Sequence, residues 1–171
     1  MRRYAPLLVA LALLGGCNRG VELTDASMQD VAKALGDAAR QEPGQWRTVT
    51  ELEAMNLGKA ANPRTSAAIK QQIGQQQVAS GCLSPAQAGA PGFGQLRGGS
   101  CRFDRFVLKG GQLEAIMHCA RPDARLSVTQ KGSYSATAYD VHSTLRQEGP
   151  KRPAESMTMH IVGRRTGECA K

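Results

Sequence analysis

Five cysteines constrain the fold of this 171-residue chain more than any other feature of its sequence. Cys17 follows a short apolar stretch, whereas Cys82, Cys101, Cys119 and Cys169 are spread through the rest of the chain. The four cysteines after Cys17 are an even number. In an exported domain such a set predicts disulfides, because thiols are oxidised outside the cytoplasm. If Cys17 has a separate role, the other four form two disulfides.

The N-terminus has the pattern of a bacterial lipoprotein signal. Two arginines at 2–3 precede an apolar stretch at 4–14, and two small glycines stand directly before Cys17. We expect residues 1–16 to be removed, Cys17 to carry the lipid, and residues 17–24 to form a lipidated tether. An ordinary secretory signal and an uncleaved anchor are the alternatives, although the apolar stretch is shorter than the ~20 residues that span a bilayer.

The residue after the lipidated cysteine predicts the destination. By resemblance to lipoprotein sorting in Gram-negative bacteria, Asn18 in place of an aspartate points to the outer membrane. The mature chain would then lie in the cell envelope and face the periplasm.

A hairpin selects one of the three ways to pair the remaining cysteines. A three-residue loop at 109–111 is predicted to join two strands, which places Cys101 opposite Cys119, close enough for a bridge. Cys82 is then left for Cys169. A metal site of cysteine thiolates is the alternative, but the spacings contain no C-x-x-C pair.

The pattern after the tether predicts one α+β domain at 25–171. Helices are predicted at about 25–40, with Ser27 and Asp30 placed as a capping box, and at about 62–77. A further turn of helix follows Cys82, before a glycine-rich loop. Strands are predicted at 46–55, 101–108, 112–120, 124–131, 134–146 and 156–165. Sequential hairpins imply a curved antiparallel meander of about six strands, which two disulfides hold closed.

Short motifs stand along the chain in a definite order. They are P-G-x-W at 43–46, C-L-S-P at 82–85, G-S-Y-S at 132–135 and G-R-x-x-G-x-C at 163–169. With two cysteines on successive strands between them, they resemble DUF3617, a family of small exported proteobacterial envelope proteins. The chain departs from the family pattern at Arg165, where an aromatic residue is common. The resemblance implies an exported, disulfide-bonded α+β domain and brings no activity or ligand.

The sequence contains no strong catalytic or cofactor motif. Ser133 lacks the glycine that a nucleophile elbow requires, and no thiol is left over for cysteine catalysis. His118, His142 and His160 lie on separate predicted strands, where each is interpreted as a half-exposed strand residue. We therefore predict no catalytic residue, no cofactor and no metal.

A Cu(I) site is the metal hypothesis to weigh against that prediction. Thioethers and imidazole suit Cu(I), and two clusters offer them. The clusters are Met117, His118 and Cys119, and Met157, Met159 and His160. Adjacent side chains of a strand point to opposite faces, so a site would need residues from neighbouring strands.

The charge bears on partners. The chain has a formal net charge of +8, and without residues 1–16 it has 20 basic and 14 acidic residues, a net of 20 − 14 = +6. The compartment excludes nucleic acid. Lipopolysaccharide, anionic phospholipid and peptidoglycan carboxylates are candidate partners within a Debye length of about 8 Å. A simpler interpretation is that the net positive charge keeps the protein soluble.

These observations predict a lipid-anchored envelope protein that acts as a binding or structural module, with the membrane and envelope proteins as its partners. One alternative is an envelope hydrolase that uses Glu51, Glu53 or Asp104 as acid and base. Another is a carrier that holds an apolar ligand in the concave sheet face. A deep pocket enclosing two carboxylates would favour the hydrolase, and an enclosed apolar cavity would favour the carrier.

Overall fold

The computed structural model describes residues 20–36, 40–58, 62–88, 100–120, 123–150 and 152–170. The predicted signal peptide at 1–16, Cys17 and most of the glycine-rich loop lie outside these residues. No helix in the described ranges is long and apolar enough to cross a bilayer.

An open, curved antiparallel sheet contains most of the described chain. Its strands are β1 (Val21–Ser27), β2 (Gly44–Asn56), β3 (Gln76–Leu83), β4 (Ser100–Lys109), β5 (Gln112–Ala120), β6 (Arg125–Tyr134), β7 (Ala138–Gly149) and β8 (Arg152–Gly167). They lie in the order β1-β4-β5-β6-β7-β8-β2-β3. The meander from β4 to β8 is confirmed, but the described residues form eight strands rather than six.

The two additional strands are the two edges of the sheet, β1 and β3. Residues 21–24 were expected in a tether, but they pair with β4. Val21 and Leu23 alternate with polar residues and pack against the core, which explains why this short segment is a strand. The second helix was expected to reach residue 77, but β3 begins at Gln76. Its polar and small residues carry no periodic signal, and pairing with β2 determines its structure.

Among the described residues, three short helices accompany the sheet: α1 (Met28–Leu35), α2 (Pro63–Gln72) and α3 (Pro85–Ala88). The capping box of α1 is confirmed, because Asp30 N donates to Ser27 Oγ at 3.1 Å and Ser27 N donates to Asp30 Oδ2 at 2.9 Å. The Ser27 hydroxyl also donates to Asp30 Oδ2, at 2.6 Å, and this bond, with the smaller effect of the Ser27 N–H, lowers the pKa of Asp30. The helix is shorter than the predicted 25–40, because β1 occupies its first residues and Gly36 caps its end.

The predicted break between the strands at 124–131 and 134–146, a turn at Lys131 and Gly132, is wrong, because β6 continues to Tyr134. Gly132 lies within the strand pair, and a Cβ on it would overlap the Asp140 carbonyl of β7. The chain turns three residues later, where the Ser135 hydroxyl accepts a hydrogen bond from Ala138 N at 3.0 Å. Close strand approach, rather than a turn, thus explains this glycine.

The main core occupies only half of the sheet's inner face. Val31 and Leu35 of α1 belong to a core cluster that also includes residues of β1 and of the strands from β4 to β7. Phe103 and Phe106, each 1% exposed, are at its centre. Within the described residues, the core cluster has no member on β8, β2 or β3. Apart from Trp46, which is 7% exposed, the apolar side chains of β8 and β2 are half-buried or more exposed.

Both predicted disulfides are present. Cys101 joins Cys119 between β4 and β5, and Cys82 of β3 joins Cys169 beyond the end of β8. The hairpin between the first pair differs from the prediction, because Lys109 pairs with Gln112 across a two-residue turn. A bulge farther along β4 shifts the register by one residue and restores the cysteine pair.

Candidate functional site

An open groove of about 310 Å³ lies beside the edge strand β3. Trp46 and Thr48 of β2, Tyr139 of β7 and residues 79–83 of β3 line it, together with Gln87 of α3. Small side chains along β3 leave the space that the aromatic rings border. The groove is shallow, so it suits a ligand that lies along the sheet rather than one that is enclosed.

The aromatic rings of this region form a continuous stack. The Trp46 and Tyr139 rings lie 5.9 Å apart at 18°, and the Tyr139 and Tyr134 rings lie 6.4 Å apart at 17°. Trp46 Nε1 donates to the Glu42 carbonyl at 3.0 Å, and the Tyr139 hydroxyl hydrogen-bonds the Thr48 hydroxyl at 3.0 Å. These bonds fix the rings, so the groove is a preformed surface.

A glycine allows Tyr139 to reach the groove. Tyr139 of β7 pairs directly with Gly163 of β8, and a Cβ at Gly163 would overlap the tyrosine ring. The ring therefore lies across β8 and contacts Trp46 and Thr48 on the next strand. This geometry gives a physical role to the first glycine of the G-R-x-x-G-x-C motif.

Tyr134, at the end of the stack, provides a pH-dependent prediction. Burial, with a smaller effect of Tyr139, raises its pKa from 10.0 to about 12. The folded state then keeps a proton that the unfolded state loses, so this contribution to stability is present below pH ~10 and is lost as the pH rises towards ~12. In an alkaline titration followed by phenolate absorbance, Tyr134→Phe is expected to remove the last tyrosine transition. A late transition that survives this substitution would contradict the assignment.

The outer face beside β3 carries a short apolar row, between Arg47 and Glu51 of β2. Val78 of β3 is 55% exposed, and it continues a row formed by Val49 of β2 and Val162 of β8. Ile73, just before β3, is 39% exposed. The strand itself contains neither a charged residue nor a proline. Edge strands are commonly protected by such residues, so β3 lacks the usual protection against pairing with another strand.

The three carboxylates considered for hydrolysis have separate partners. Glu51 accepts a hydrogen bond from Gln76 Nε2 at 3.0 Å, Glu53 lies 3.1 Å from His142 Nδ1, and Asp104 lies 2.8 Å from His118 Nε2. None of the three is among the described residues that line the groove. The structure therefore does not bring an acid–base pair to the candidate site.

Bulges direct two of these carboxylates towards histidines. Glu53 is the extra residue where β2 pairs with β8, and Asp104 is the extra residue where β4 pairs with β5. A bulge re-aims a side chain relative to the regular alternation of a strand. Sequence alternation alone could not reveal either contact, because it assumes an unbroken register.

The structure also rearranges the predicted metal donors. Met117 and Cys119 are buried on the inner face, and Cys119 is in a disulfide, whereas His118 is on the outer face with Asp104. Met157 and Met159 alternate with His160 in the same way. Neither Cu(I) cluster forms a site of adjacent residues, but His142 and His160 meet directly across β7 and β8.

In the part of the chain that the structure describes, these features define an antiparallel sheet domain with two disulfides, a core on part of the inner face and an unprotected edge strand. The chain belongs to the DUF3617 family, described as a protein of unknown function, whose model matches residues 41–169. No curated protein and no solved structure matched the chain. The matched range contains both disulfides, the groove and β3, whereas β1 and α1 precede it.

Proposed function

We propose that this protein is a lipid-anchored module of the cell envelope that binds an extended segment of another envelope protein. The segment adds to the sheet as a strand beside β3. Cys17 carries the lipid, and the domain faces the periplasm from the outer membrane. The observation that carries the proposal is an uncharged sheet edge with an aromatic groove beside it.

Main-chain groups at a sheet edge provide the affinity for this mode of binding. In the described part of the sheet, β3 is hydrogen-bonded to β2 and is the last strand in the order. No described residue pairs with its other side, which can therefore accept the backbone of an added strand. Side chains of that strand then occupy surfaces next to the edge, which provides specificity.

Apolar surface on both faces of β3 favours a polypeptide partner. Successive side chains of a strand point to opposite faces of a sheet. One set would contact the groove with Trp46 and Tyr139, and the other would contact Val78 on the outer face. An acyl chain in the groove would use the inner face alone, and this difference supports strand addition over the carrier hypothesis.

The position of the proposed anchor suits this arrangement. Residues 18–20 separate Cys17 from β1, and β1 is the edge of the sheet opposite β3. Seven inter-strand spacings of ~4.8 Å put the two edges about 34 Å apart along the sheet. A lipid at Cys17 would therefore hold the β1 edge near the membrane and leave β3 accessible to a periplasmic partner.

Photo-crosslinking in intact cells tests the proposal. A benzophenone amino acid is placed in the full-length protein at Gln76, Val78 or Ser80, which are all exposed. Peptide mass spectrometry then locates the crosslinked residue in the partner. Paired strands keep register. If the partner adds as a strand, moving the probe by two residues along β3 should move the crosslinked position in the partner by about two residues.

A charge introduced at the edge of the sheet provides a second test of the proposal. Val78→Lys is expected to abolish the adducts formed at residue 76, whereas Thr129→Lys, at an exposed position on the central strand β6, leaves them unchanged. Adducts with lipid or glycan, adducts with a second copy of this chain, or contacts without strand register would overturn the proposal.

A further inference from the structure

On the outer face, side chains from three adjacent strands converge. His142 of β7 pairs directly with His160 of β8, and their rings stack with centroids 4.3 Å apart. Glu53 comes from the bulge of β2 and extends past β8, which places its Oε2 3.1 Å from His142 Nδ1. One donor atom from each of these residues lies within 4.8 Å of the other two.

From this geometry we propose that Glu53, His142 and His160 form a binding site for Zn²⁺. Two imidazole nitrogens and a carboxylate oxygen are donors that Zn²⁺ prefers, whereas Ca²⁺ and Mg²⁺ take oxygen donors. Three protein donors leave a fourth tetrahedral position for water. The proposal does not depend on strand addition at β3.

The distances are compatible with a shared metal. Donors about 2.0–2.1 Å from Zn²⁺ lie roughly 3.3 Å apart in a tetrahedron. Glu53 and His142 already approach this separation, at 3.1 Å. The widest separation, up to 4.8 Å, must shorten, and the stacked rings must turn. The side chains of His142 and Glu53 are 54% and 32% exposed, which leaves them room for this adjustment.

Asp140 completes the arrangement by orienting one ligand. His160 Nε2 donates to Asp140 Oδ1 at 2.7 Å, which leaves His160 Nδ1 to bind the metal. A carboxylate behind a metal-bound imidazole is a frequent feature of zinc sites, because it fixes the tautomer and the ring orientation. Asp140 is therefore a positioning residue rather than a ligand.

The charges around the site favour a cation. Glu51 of β2 lies opposite His160, and Lys131 of β6 lies opposite His142. With Glu53 and Asp140, the immediate surroundings hold three carboxylates and one ammonium group. The local charge is thus negative in a chain whose overall charge is positive.

Isothermal titration with ZnCl₂ tests the site. The full chain is prepared in detergent, without a polyhistidine tag, and stripped of metal by a chelator. We expect one Zn²⁺ per chain and a higher midpoint of thermal unfolding, because the ligands connect β2, β8 and β7. His142→Ala and Glu53→Gln are each expected to weaken binding at least about tenfold, and Asp140→Asn about 10- to 100-fold.

His118→Ala is the matched control, because His118 also bonds a carboxylate on the outer face but lies outside the cluster. It is expected to leave Zn²⁺ affinity unchanged. Glu53→Gln preserves side-chain size, and near-ultraviolet circular dichroism of Trp46 reports whether each variant is folded. Absence of Zn²⁺ binding, binding unaffected by Glu53→Gln in the folded protein, or an equal loss with His118→Ala would overturn the proposal.

Discussion

Replacing Cys82 and Cys169 together with serine is expected to lower the free energy of unfolding by about 4.6 kcal/mol. Their disulfide spans 87 residues, and closing so long a loop removes much of the entropy of the unfolded chain. Neither cysteine belongs to the main core, so the serines add little cost of their own. The double variant also avoids leaving a free thiol.

Urea unfolding of the oxidised protein and of the variant measures this effect. The comparison variant replaces Cys101 and Cys119 with alanine, which opens a loop of 18 residues, worth about 3.2 kcal/mol in the same entropy model. Its total cost includes lost packing, because Cys119 is 2% exposed in the core. A loss below about 1 kcal/mol for the serine variant would contradict the role assigned to the longer bridge.

The same serine variant is expected to loosen the groove. In the described chain, β3 is held in the sheet by its pairing with β2 and by the disulfide at Cys82. Without the disulfide, only the pairing with β2 holds the end of β3 that lines the groove. Amide exchange in residues 79–83 should therefore accelerate more than exchange in the central strands.

Cys17→Ser is expected to move the protein from the membrane fraction to the soluble fraction of the envelope. Serine has no thiol to accept diacylglycerol, so the proposed anchor cannot form. A diacylated and N-acylated cysteine binds a bilayer far more strongly than one acyl chain, so the predicted change is almost complete. Cell fractionation followed by immunoblotting measures it.

Asn18→Asp is the matched variant, because it preserves the lipidated cysteine. It is expected to remain in the membrane fraction and to shift from the outer to the inner membrane on a density gradient. Retention of Cys17→Ser in the membrane fraction would contradict lipid anchoring. An unchanged position of Asn18→Asp would contradict the predicted sorting alone.

The sequence predicted the cysteine pairs, although it misread the hairpin that joins one of them. It suggested a three-residue loop pairing residue 108 with residue 112, whereas the structure pairs Leu108 with Leu113. The bulge at Asp104 then shifts the register by one residue. Loop length and bulge have opposite effects on register, so Cys101 still meets Cys119.

Edge strands were the main omission in the predicted fold. In the central strands, core residues alternate with surface residues, and this alternation allows the meander to be predicted from the sequence. Strand β3 has almost no buried face, so its residues Gln76–Leu83 carry no such signal. The sequence predicts residues 76–77 as the end of a helix and no strand at 78–83, so it does not reveal the edge of the candidate site.

The histidine cluster depends on irregularities of register. Between β7 and β8 the pairing shifts between Gln147 and Gly149, and this shift places His142 opposite His160. A regular hairpin from the same turn would have placed their side chains on opposite faces. Glu53 joins them through its own bulge. The residue types indicate possible metal donors, but the register of the strands in the structure is needed to show that these donors lie close together.

The mass of the native protein, extracted from membranes without reduction, tests the central claim most directly. The account predicts a chain that begins at a lipid-modified Cys17, lacks residues 1–16 and has four cysteines in two disulfides. Peptide mapping should link Cys82 to Cys169. A chain that retains its first 16 residues, with its cysteines as free thiols, would contradict export, the lipid anchor and the envelope function together.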